Sequence, residues 1–141
     1  MTTELGTTGT ATLVVDGGDL ATVLNQAPGD DFPPVLATAR MIGLMELAAS
    51  RAMHGALAAG EVSVGVSLDV THAAATPLGI TVTAEARLTA REGKLFVFDV
   101  VARDSGGEVG RGTHKRAIVS SARLLQGAQR RCNDDGNVNG P

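Results

Sequence analysis

Glu46 is the single acid in the segment from Thr38 to Met53 (TARMIGLMELAASRAM), where every neighbour except Arg40 and Arg51 is apolar, small or hydroxylated. An ionised carboxylate on an apolar helix face costs free energy unless it is paired or protonated, which marks Glu46 as a candidate for chemistry. On a helix, Ile42, Ala49, Ser50 and Met53 share its face, so no lysine or arginine stands at four-residue spacing. A general base or a carboxylate nucleophile needs that kind of setting, desolvated but reachable. The structural alternative is a partly exposed glutamate on an imperfectly buried helix.

Three further residues could act with it. His72 ends an alternating strand just before Ala73-Ala74-Ala75, where a cleft would be lined by small side chains. A histidine beside a carboxylate can polarise a nucleophile or shuttle its proton; its structural alternative is a core histidine bonded to a backbone carbonyl. Thr38 precedes the helix, where its hydroxyl could cap a free N–H or help a helix N-terminus stabilise an oxyanion. Arg116, in GTHKRAIV with His114, falls on the side of Ile118, where an apolar residue would ordinarily stand. An inward arginine calls for a carboxylate or phosphate partner; its structural alternative is an ion pair with Glu46 or Asp69.

The elements that must position these residues follow from periodicity. Residues 9–15 (GTATLVV) read as a short strand ended by Gly17-Gly18, with a helical turn at 19–24 and a proline-rich loop from Asn25 to Pro34. The spacing of Ile42, Met45, Ala49, Ala52 and Met53 predicts a helix from Thr38 to about Ala59, rich enough in Ala, Gly and Met to be wrapped on most sides. Four strands follow: 62–72 with Val62, Val64, Val66, Leu68, Val70 and His72 on one face; 80–88; 94–103, apolar on both faces and hence central; and 108–121. Turn signals stand at Thr76-Pro77-Leu78-Gly79, Glu92-Gly93 and Ser105-Gly106-Gly107, and the short loops between the last three strands predict antiparallel hairpins. The expected class is α+β: a curved antiparallel sheet wrapped around a long central helix, the order of a hotdog fold. A homodimer would cover its free edge and apolar face. One domain is expected over residues 1–126, with 127–141 as a disordered C-terminal tail.

Composition narrows the function. The 141 residues carry a net charge of −3 and only 2% aromatics, which disfavours nucleic-acid binding and base stacking. Residues 1–60 hold two basic and six acidic side chains, so an anionic ligand is expected to meet the second half. The single cysteine, Cys132, allows no internal disulfide; no signal-peptide pattern or membrane-length apolar run occurs, and the expected setting is cytoplasmic. His54, His72 and His114 lack metal-ligand spacing, and no dinucleotide loop, phosphate loop or nucleophile elbow is present.

The segments ATARMIGLMELAASRAM, VSLDVTHAAATPLGITVTAEARL and GTHKRAIV resemble the fluoroacetyl-CoA thioesterase family of hotdog proteins, over roughly Pro34 to Ile118. The resemblance implies hydrolysis of an acyl-CoA thioester at a dimer interface, without metal or redox cofactor. It places a catalytic trio on Thr38, Glu46 and His72, an acyl-contacting arginine on Arg116 and a close-approach glycine on Gly65. The family's loop before the helix is longer and carries two phenylalanines over the acyl pocket; here Phe32 alone stands at a lid position and Gly29 lies near the other. The expected substrate is therefore a small or medium acyl group on CoA or a carrier protein, with Thr38 either accepting the acyl group or positioning an oxyanion. The rivals are a non-catalytic hotdog module that binds acyl-CoA or another small ligand, and a hotdog dehydratase. The absence of a dehydratase-like histidine on the helix argues against the latter.

Overall fold

A computed structural model describes residues 3–139, with side chains described through residue 133. Five antiparallel strands, β1 (Thr8–Val14), β2 (Glu61–His72), β3 (Thr81–Glu92), β4 (Leu95–Asp104) and β5 (Gly107–Ser120), form one sheet in the order β1-β3-β4-β5-β2. Helix α1 (Thr38–Ala52) packs against it. The strand apolar on both faces, β4, lies at the centre as its sequence requires. Short helical turns at Gly17–Asp19 and Ala21–Leu24 lead into the loop before α1.

The core joins one face of α1 to the concave face of the sheet. Met41, Met45, Ala48, Ala49 and Met53 meet Val82, Ala84, Ala86, Leu88, Phe98 and Ala102, all fully buried. Alanines on both surfaces let helix and sheet approach closely. At Gly9 the approach is closest: a Cβ there would collide with Ala48 O and lie 2.7 Å from Ala52 N. No larger residue fits there.

Four expectations differ from what is found. The helix stops at Ala52 rather than Ala59, giving way to a 3-10 turn at His54–Ala56. It is covered on one side only; Ala39 and Leu47 are exposed on the other, with Gly43 half-buried between them. Strand β2 is not one continuous alternation. Gly65 faces Arg116 and Ser67 faces Lys115, so Val66 is an extra, bulged residue. The bulge inverts the pattern: Ser63 and Gly65 precede it on the helix-facing side with Arg116, whereas Leu68, Val70 and His72 follow it there with His114. Finally, residues 127–139 of the expected disordered tail continue helix α2 (Ser121–Asn139), which starts directly from β5; residues 140–141 lie outside the described part.

Candidate active site

The N-terminal end of α1 is mounted from three directions. Ala37 N–H donates to Asp19 O (2.9 Å), Leu36 N–H to Thr76 O (2.9 Å) and Ala21 N–H to Val35 O (2.8 Å). Arg40 Nε bonds buried Asp19 Oδ1 at 2.8 Å. Burial pushes the Asp19 carboxyl up, but the Asp16 N–H and the Arg40 guanidinium outweigh it and hold the pKa below its ordinary value. Thr76 Oγ1, itself buried, donates to Asp104 Oδ2 at 2.7 Å, which ties the mount to the end of β4.

Thr38 is the first helical residue rather than the cap; Ala37 takes the cap position with no side-chain acceptor. Its hydroxyl is thereby free to meet the end of β2, where Thr38 Oγ1 and His72 Nδ1 are 2.7 Å apart. Both line a pocket of about 340 Å³ whose other walls include Val35, Leu36, Ala73, Ala74 and Ala75. His72 Nε2 is enclosed and has no hydrogen-bond partner.

Glu46 lies two turns further along α1, about 12 Å away at 1.5 Å per residue. Its side chain is 40% exposed, and Oε2 sits 3.4 Å from Arg116 Nη1, a loose contact. Gly65 makes room for it: a Cβ at that position would collide with Glu46 Oε2. Arg116 itself is almost wholly buried and held on every side. Its Nε donates to Ser63 Oγ (2.9 Å), Nη2 to Ser63 O (2.8 Å) and Nη1 to His114 Nε2 (3.0 Å). Burial lowers the Arg116 pKa, and Glu46 opposes that shift.

Within one chain the structure thus joins Thr38 to His72 and joins Glu46 to Arg116 and Gly65, and it leaves the two groups apart. Phe32 is exposed on the loop and is not part of the pocket wall; Asn25 Oδ1 holds its backbone N–H at 2.9 Å. Among the described residues, no group of three or more His, Cys, Asp or Glu side chains is placed to hold a metal ion. No pattern in the sequence marks Ser63 or Asp19 for the site. Strand register offered a signal only for His114, which shares Arg116's face.

A five-stranded antiparallel sheet curled around one helix, with its polar residues at the helix start and along β2 and β5, defines a hotdog-fold protein. The family model of fluoroacetyl-CoA-specific thioesterases matches residues 19–122, and the chain belongs to that family. The fluoroacetyl-CoA thioesterase of Streptantibioticus cattleyicolor is 49% identical over 89 residues, covering 63% of this chain and 64% of that enzyme's length. A solved structure of the fluoroacetyl-CoA thioesterase FlK superposes with a TM-score of 0.84 at 39% identity, covering 90% of this chain and 96% of that one. A variant of that enzyme, solved with fluoroacetate and CoA, gives 0.80 at 40% identity, covering 86% and 98%. A thioesterase-superfamily member from Thermus thermophilus shares the fold, with a TM-score of 0.84 at 24% identity over 97% and 98% of the two chains. No helix among the described residues is long and apolar enough to cross a membrane.

Proposed function

We propose that this protein is a homodimeric, cytoplasmic acyl-CoA thioesterase that hydrolyses a small or medium acyl group carried on CoA or a carrier protein. The observation that carries the reading, beside family membership, is the Thr38–His72 pair at 2.7 Å in a pocket lined by small apolar residues. One chain holds half of what the reaction needs there, because Glu46 is about 12 Å along the helix.

A second copy supplies the other half. Strand β2 is a free edge of 12 residues, with Val66 53% and Leu68 37% exposed, beside the uncovered Ala39 and Leu47 of α1. A long apolar edge of this kind pairs with its own copy most economically. Antiparallel pairing of two β2 strands centred near Leu68 sets His72 opposite Val64 of the partner subunit. That is next to the Gly65 on which Glu46 rests. Each complete site then takes Thr38 and His72 from one copy and Glu46, Arg116 and Gly65 from the other.

The chemistry follows from side chains alone. Glu46 attacks the thioester carbonyl or takes a proton from the water that does. A buried N–H with no acceptor costs about 1–3 kcal/mol. The enclosed, unpartnered His72 Nε2 therefore favours the tautomer with its proton on Nδ1. That proton is donated to Thr38 Oγ1, and the threonine hydroxyl is left to donate to the oxyanion. On the direct route the water oxygen stays on the acyl carbon, and its proton, held by Glu46, replaces the one that this pair gives to the departing thiolate. On the covalent route the thiolate leaves with the pair's proton, and water then cleaves the Glu46–acyl anhydride, freeing the acid and the carboxylate and returning a proton to the pair. The loop has one exposed aromatic, so the acyl group need not be fluoroacetyl.

Thiol release measured over a panel of short to medium acyl-CoAs, beside hydration of the crotonyl thioester, tests the reading. Turnover of an acyl-CoA with no hydration of the crotonyl double bond is expected. Thermal stabilisation by acyl-CoA without thiol release would instead identify a binding module.

A further inference from the structure

His114 is the most deeply buried titratable side chain beside the site, and the proposed reaction does not use it. It lies two residues from Arg116 on β5, with both ring nitrogens engaged. Nδ1 is 2.9 Å from the carbonyl oxygen of Ser67, the first residue past the bulge, and Nε2 is 3.0 Å from Arg116 Nη1. A carbonyl oxygen can only accept and a guanidinium can only donate. These partners fix the imidazole as neutral: the proton sits on Nδ1 and the lone pair on Nε2. Imidazolium would lose the Arg116 bond and set two cations side by side.

We infer that His114 is a positioning residue that sets Arg116, and through it Glu46, by acting as an uncharged acceptor anchored to the β2 bulge. Arg116 Nη1 is the only nitrogen of that guanidinium that reaches Glu46, and it is the nitrogen that His114 holds. The other two, Nε and Nη2, are held by Ser63. The same bulge brings Gly65 beneath the Glu46 carboxylate, so one irregularity in β2 sets both the space and the direction of the acid. Burial, the largest influence on His114, lowers its pKa and keeps it neutral; the Ser67 carbonyl and Glu46 oppose this, and Arg116 reinforces it. The catalytic consequence rests on the thioesterase reading above, whereas the tie itself does not.

The test uses full-length protein and two substitutions that separate the nitrogens. His114→Gln puts an amide oxygen where Nε2 stood and keeps an acceptor for Arg116. His114→Asn keeps a donor for Ser67 and leaves Arg116 without its acceptor. Nitrogen-15 spectra of the wild-type imidazole should show Nε2 unprotonated, and a proton on Nε2 overturns the proposal with no variant needed. Exchange protection of the Arg116 side-chain protons should fall by about tenfold or more in the Asn variant and recover in the Gln variant. A misplaced reacting group loses rate more than binding, so kcat should fall by about 10-fold to 100-fold in the Asn variant, with KM moved less than about threefold. Equal protection and equal kcat in the two variants would contradict the tie. A wild type that releases no thiol from any acyl-CoA, while protection still follows the acceptor, would refute the thioesterase reading and leave the tie standing.

Discussion

The two ends of the candidate site are built in opposite ways. At the start of α1, Thr38 and His72 share a single bond in an open pocket, and the order around them comes from backbone contacts to Asp19, Thr76 and Val35. Two turns on, Glu46 stands half-exposed over a dense knot of Arg116, His114 and Ser63, in which every arginine nitrogen is occupied. The first end keeps a hydroxyl free by fixing the chain beneath it. The second keeps a carboxylate free by saturating the cation beside it. A hydroxyl that must donate and a carboxylate that must accept require these different supports.

Substitutions at each end sharpen the contrast. The largest effect is expected from removing the reacting groups themselves. Glu46→Ala and His72→Ala should each lower kcat for acyl-CoA hydrolysis by about 10²–10⁴-fold, with unchanged thermal melting and sedimentation. Thr38→Ala should lose about 10²–10³-fold, as for a lost oxyanion donor, and Thr38→Ser should recover most of it in the same assay. Full activity in the alanine variant would remove the hydroxyl from the mechanism. Next comes Gly65→Ala, whose methyl displaces the Glu46 carboxylate; kcat should drop by about 10²-fold while circular dichroism shows an intact fold.

The smallest effect concerns the mount. Asp19 has a folded pKa below its ordinary 3.8, so its stabilisation is present above that value and is lost as pH falls through the lower, folded one. Asp19→Ala should therefore cost about 1.5–3 kcal/mol in urea unfolding at pH 7, and progressively less as the pH is taken down below 3.8. A penalty that does not change with pH would show that the clamp acts by packing and not by charge.

Much of this architecture was legible in the residues. The central strand showed itself by being apolar on both faces, the helix by its spacing, and Arg116 by standing where an apolar residue belongs. The β2 bulge was hidden, because Val62 to Val70 alternate without interruption and a bulge changes pairing rather than pattern. Gly65 inside the strand was its one outward sign. The partner of Glu46, Arg116, stands 70 positions away and beyond helical spacing; the inward register of Arg116 pointed to it, with Asp69 as the other candidate acid. The helix end at Ala52 and helix α2 were misread where Ala, Gly and polar residues give weak periodicity. The separation of Thr38 from Glu46 was legible as eight helical residues, but the meeting of His72 with Thr38 was not, because spacing along a helix does not say where a strand ends.

In the proposed dimer each site draws Thr38 and His72 from one subunit and Glu46 from the other. Mixing two inactive variants, His72→Ala and Glu46→Ala, after unfolding and joint refolding separates this arrangement from sites held within one chain. If sites are shared, each mixed dimer holds one intact site, and an equal, random mixture should regain about a quarter of wild-type thioester hydrolysis. If all three residues act within one chain, every site in the mixture carries a defect. Activity that stays at the level of the separate variants would show that no site is shared between subunits.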